Sequence, residues 1–98
     1  EAEVRMTFAR APLRTESTAP IARCVRDAAT EVTGSAPEEI GVGFWMDAAV
    51  FAGAGIPSVD YGPGGDGAHE AVEWVEADSV VTCARVLRQS ALRFMDQR

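Results

Sequence analysis

The sequence predicts an α/β fold, a partial layered sheet with helices packed on it. Two observations carry that prediction. Short segments with extended, alternating or continuous apolar character are interleaved with longer segments whose apolar residues recur at helical spacing. No internal repeat interrupts this order. At 98 residues the chain makes at most one modest domain with a thin core.

Val4, Met6 and Phe8 alternate with Arg5 and Thr7, the pattern of a half-buried strand. Arg10 to Thr15, with Pro12 inside it, reads as a connector. A helix follows. Ser17 or Thr18 is the expected N-cap, and Pro20 suits the first turn. Ile21, Cys24, Val25, Ala28 and Val32 share one face of it, and Gly34 is placed to end it. Gly41 to Trp45 reads as a short extended segment. Asp47 then caps a short helix over Ala48 to Ala54, apolar all round and so expected to be buried on most sides. Val59 and Tyr61 lie in a short strand after Pro57. The last helix is expected to be capped by Asp78, with Val80, Val81, Ala84, Leu87, Ala91, Leu92 and Met95 as its apolar stripe. Asp78 near its start and Arg85, Arg88 and Arg93 toward its end complement the helix dipole.

The net charge is -6, and every basic residue is an arginine. A groove for nucleic acid needs a basic stripe, and an anionic membrane surface attracts basic clusters, so neither partner is expected. No apolar run approaches a membrane span, and the start at Glu1-Ala2-Glu3 is not expected to be a signal peptide. A cytoplasmic protein is the expectation. Cys24 and Cys83, each in a helical segment, are expected to be small buried hydrophobes rather than a disulfide or a metal motif. Trp45 and Trp74 are expected to pack in the core or at its edge.

Gly62, Gly64 and Gly67 satisfy the spacing G-x-G-x-x-G. A dinucleotide fingerprint would need a helix starting directly from the loop and a following strand with a ribose-binding acid. Pro63 lies in the turn, Asp66 would sit beside the phosphates, and the next long element is the final helix. The glycines instead allow close backbone approach or positive φ. They lead to His69, the one histidine, placed just past a strand end. A solitary histidine is more often a surface or packed residue than a ligand, since zinc needs three or four convergent donors. Glu70, Glu73 and Glu76 read as a solvated face. Composition and spacing stop there, short of a reaction.

The stretch Gly43-Phe44-Trp45-Met46-Asp47-Ala48, then Gly55-Ile56-Pro57-Ser58-Val59, Tyr61-Gly62-Pro63-Gly64 and Ala68-His69 resembles the closing segment of a zinc metallopeptidase family. That family includes acetylornithine deacetylase, succinyl-diaminopimelate desuccinylase, aminoacylase and carboxypeptidase G. The resemblance is clearest over residues 41–95. It implies a phosphorylase/hydrolase-like catalytic domain of which residues 14–98 are the C-terminal part. Residues 1–13 would be the last strand of an inserted lid domain and its hinge. It implies that His69 binds one of two zinc ions (cobalt is an alternative metal) and that Gly62, Pro63 and Gly64 line the substrate pocket near the substrate carboxylate. The implied reaction is hydrolysis of an amide next to a carboxylate, in an N-acyl amino acid or peptide. The general base and the remaining ligands would lie outside these residues, so this chain alone is expected to be inactive. A homodimer is compatible with the resemblance. Met46 and Val72 stand where threonine and asparagine are frequent in the family, which leaves the substrate unassigned. The competing expectation is a non-catalytic binding or assembly module that kept the fold without the metal chemistry.

Overall fold

In the computed structural model, which describes residues 1–97, the first expected helix runs over Pro20–Thr33 (α1). Pro20 lies in its first turn, where a missing N–H costs nothing. The expected cap at Ser17 or Thr18 is not formed; Ala19 holds the cap position and no side chain bonds there. Proline drives the residue before it out of the helical region, and Ala19 has ψ 142, so the boundary is set by Pro20. The Ser17 carbonyl accepts a hydrogen bond from Arg26 instead. At the other end Gly34 takes φ 84, and its N–H donates to the Thr30 carbonyl at 2.9 Å.

The second helix, Ala48–Gly53 (α2), follows Asp47 as expected, but Asp47 makes no side-chain cap bond. Its own backbone is already helical, at φ -60 and ψ -24, rather than in the extended conformation a capping side chain needs. Only Ala49 of α2 is buried, while Val50 and Phe51 are more than half exposed. Burial on most sides is therefore not achieved among the described residues.

Two strands, Gly65–Asp66 (β1) and Trp74–Val75 (β2), pair antiparallel with Gly65 opposite Val75 and Asp66 opposite Trp74. They form the sheet of the described residues. The expected strands at residues 4–8, 41–45 and 59–61 are not paired. Alternation specifies which side chains share a face, but a strand also needs a neighbour to take its N–H and C=O groups. None is present for Val4, Met6 and Phe8 among the described residues, and Val4 is 95% exposed.

The last helix, Ala77–Asp96 (α3), starts from Glu76 at the cap position, not from Asp78, which sits in its first turn. It packs against α1. The contact is made of small side chains. Ala28 and Ala29 of α1 meet Val86 of α3, with Val32 and Tyr61 closing the edge, and Cys24, Cys83 and Ser90 are buried as well. Both cysteines are free thiols, as expected. Polar groups frame the contact. The Ser90 hydroxyl donates to the Val86 carbonyl at 2.7 Å. Arg93 pairs with Glu31, and that hydrogen bond raises the guanidinium pKa above its ordinary value.

The expected apolar stripe of α3 is not what α1 covers. Residues 83, 86, 90 and 93 recur at helical spacing on the side carrying Val86 and the Arg93–Glu31 pair to α1, whereas Val80, Val81, Leu87, Leu92 and Met95 lie outside that face and are 38–55% exposed. The radius of gyration is 16.4 Å, against about 13 Å for a compact chain of this length. The accessible surface is 7850 Å², against about 5,400 Å² for a compact chain of this mass. Both excesses reflect apolar faces left without cover, and the molecule is a slab only 17 Å deep. Among the described residues no helix is long and apolar enough to cross a membrane.

Besides the Arg26–Ser17 bond, side-chain contacts tie the chain before α1 to more distant segments. The Trp45 indole N–H donates to the Ala11 carbonyl at 3.1 Å, and the Thr15 hydroxyl donates to the Ser58 carbonyl at 2.6 Å. The Arg10 guanidinium lies 4.8 Å from the Trp45 ring centre.

Ala28 is fully buried against Val86, so there is no room for a larger side chain. Ala28→Leu should lower the urea midpoint, with a loss of about 1–3 kcal/mol from overpacking. An unchanged midpoint would mean that the two helices do not meet through this residue.

Candidate metal and substrate site

The segment from Gly62 to Glu76 is organised by β1 and β2. A Cβ on Gly65 would lie 2.2 Å from the Trp74 carbonyl oxygen, so the two strands approach as closely as they do because Gly65 has none. Gly67 has φ 77, and a Cβ there would lie 2.0 Å from the Val72 carbonyl oxygen. Its N–H donates to Asp66 Oδ1 at 2.8 Å, and its carbonyl accepts from the Glu70 N–H at 2.9 Å. The second bond closes a four-residue turn with Ala68 and His69 at its centre. His69 has φ 66, the positive value that the third position of a type II turn requires and that glycine normally supplies. It is the only non-glycine residue with positive φ among the described residues. Such a conformation costs on the order of 1–3 kcal/mol and persists where the surroundings impose it. Here the bonds at Gly67 and the strand pairing on both sides impose it.

His69 is exposed. Its ring lies 5.0 Å from the Phe44 ring centre, tilted by 59°. Phe44 belongs to the irregular segment before α2, so two distant parts of the chain meet at the imidazole. Phe44 also lines an open cleft of about 710 Å³, together with Arg14, Met46, Ser58, Tyr61 and Gly62. The cleft and the histidine therefore share one aromatic wall. Among the described residues no group of three or more His, Cys, Asp or Glu side chains converges. A zinc centre needs three or four donors, and the described residues around His69 do not make up such a set. Glu70, Glu73 and Glu76 are exposed, in line with a solvated face.

Gly62, Pro63 and Gly64 are exposed, with Gly62 at the cleft and Gly64 against the start of α3. The Gly64 N–H donates to Ser79 Oγ at 2.9 Å, and the Gly64 carbonyl accepts from the Glu76 N–H at 2.8 Å. The turn is thus bonded to the first turn of α3 through both backbone groups of Gly64. Sequence reasoning missed Gly65, Ser79 and Phe44. Asp66-Gly67 is a turn signal that would have placed the hairpin. For Phe44 no local signal exists, because its contact with His69 joins segments far apart in sequence.

A model of peptidase family M20/M25/M40 matches residues 1–93. No curated protein and no solved structure matches the chain significantly.

Gly67→Ala should destabilise the protein by about 1–3 kcal/mol, because an alanine meets both the positive φ and the Val72 carbonyl. Gly62→Ala, with open space at its Cβ position, should stay within about 0.5 kcal/mol. Equal denaturation midpoints for the two variants would contradict the hairpin geometry.

Proposed function

Because the chain belongs to peptidase family M20/M25/M40, a metallopeptidase family, we propose that it contributes one metal ligand and one wall of the substrate pocket to a dizinc amidohydrolase. His69 is the ligand. Gly62, Pro63 and Gly64 form the wall. The substrate class is an N-acyl amino acid or peptide whose scissile amide lies next to a carboxylate.

The observation that carries this reading is the backbone of His69. A histidine held at φ 66 by a turn bonded on both sides presents its imidazole from one fixed Cα position. Strain of this kind concentrates at ligand-binding positions. A zinc ion bound there supplies Lewis acidity toward water and the amide carbonyl. The chain's own part is to place one imidazole donor and to offer uncharged backbone amides to the substrate carboxylate. Residues 14–98 are the returning part of a layered α/β catalytic domain, whose sheet the segments at 41–45 and 59–61 join. Residues 1–13 are the last strand of a lid domain and its hinge. The general base and the other donors belong to polypeptide outside these residues, so hydrolysis requires the full-length gene product.

In that product, His69→Ala should remove zinc, measured by atomic emission, and lower the rate of N-acyl amino acid hydrolysis by about a hundredfold or more; replacing even the outer partners of metal ligands costs 10–100-fold. Full zinc content at an undiminished rate would defeat the assignment.

A further inference from the structure

Within the Gly62-Pro63-Gly64 turn the supply of backbone donors is small. Proline has no N–H. The Gly64 N–H is engaged by Ser79 Oγ at 2.9 Å. The Gly62 N–H meets no acceptor among the described residues, and Gly62 lines the open cleft. Of the three residues, Gly62 alone has an amide free for an anion.

Ser79 occupies the first turn of α3 and is half-buried. Its hydroxyl has one proton, with the Glu76 carbonyl at 2.7 Å as the nearer acceptor and the Gly64 carbonyl at 3.3 Å as the farther, and its lone pairs receive the Gly64 N–H. Glu76 returns the contact by donating its N–H to the Gly64 carbonyl at 2.8 Å. Both peptide groups flanking Gly64 are therefore held from the helix, one by a side chain and one by the backbone. Removing the hydroxyl removes its contacts to the Gly64 N–H and carbonyl but leaves the Glu76 N–H on that carbonyl, so the turn keeps an attachment while losing its fixed orientation.

We propose that Ser79 is a positioning residue that fixes the Gly62-Pro63-Gly64 turn so that the Gly62 amide meets the carboxylate of the substrate. The assignment rests on the proposed role of this turn in substrate binding. Ser79 touches no reacting atom. Its effect is on binding of the carboxylate, not on metal content or on the chemical step.

The test uses the full-length enzyme with paired substrates, an N-acyl amino acid with a free carboxylate and the same compound as its carboxamide. Ser79→Ala should raise KM for the free acid by about three- to tenfold, the value of one hydrogen bond, with kcat and zinc content unchanged. KM for the carboxamide should not move, and Ser79→Thr, which keeps the hydroxyl, should restore the free-acid value. If the wild type prefers the free acid and Ser79→Ala leaves that preference intact, the Ser79 assignment alone is overturned. If Ser79→Ala weakens both substrates equally or lowers zinc content, Ser79 is merely structural and the assignment also fails. If the wild type is indifferent to the carboxylate, the substrate role of the turn falls, and the Ser79 assignment with it.

Discussion

The close contact between α1 and α3 is the constraint on which the rest of the structure depends. Ala28 and Ala29 leave so little side chain between the helices that Val86 fills the gap. That contact fixes the direction of α3. The first turn of α3 then holds Gly64 through Ser79 and Glu76, and Gly65 enters β1 directly from that anchor. The hairpin carries His69. A histidine exposed to solvent is thus positioned by two alanines and a valine that it never touches. Interior packing is stiff enough to transmit such placement, because side chains in a core interdigitate with few voids.

The same contact explains where sequence patterning succeeds and where it misleads. The apolar face of α1, from Ile21 to Val32, is the face that becomes buried or half-buried, and Gly34 ends the helix in the left-handed conformation its position suggests. For α3 the helix is legible but its inward face is not. Large apolar residues mark one side, whereas α1 takes the side bearing Cys83, Val86 and Ser90. A helix with two apolar partners has two buried faces, and a hydropathy pattern reports the greasier one first. The exposed Val80, Leu87 and Phe94 are then a second face without its cover among the described residues. The unpaired segments at residues 4–8 and 59–61 have the same origin. Their side-chain pattern is written in the local sequence, but a strand partner is not.

At the candidate site the family resemblance carried by Gly43 to His69 agrees with the family match over residues 1–93, while the roles given to His69 and the glycine run belong to the proposal. What could not be read is geometry. Nothing in Ala68-His69-Glu70 signals that the histidine takes a backbone conformation usually left to glycine. Gly65 is indistinguishable by composition from its neighbours, yet it is the one whose missing Cβ allows the strands to meet. Ser79 in an Asp-Ser pair at a helix start resembles a cap. Its actual partner, Gly64, is fifteen residues earlier in the chain.

The left-handed backbone at His69 bears on binding affinity as well. A side chain on a loose loop must be immobilised when a ligand arrives, and the lost freedom weakens the complex by about 1–2 kcal/mol per residue ordered. With the backbone of His69 arrested already during folding, that entropy loss would precede binding of the proposed metal, leaving little more than rotation about the two side-chain torsions.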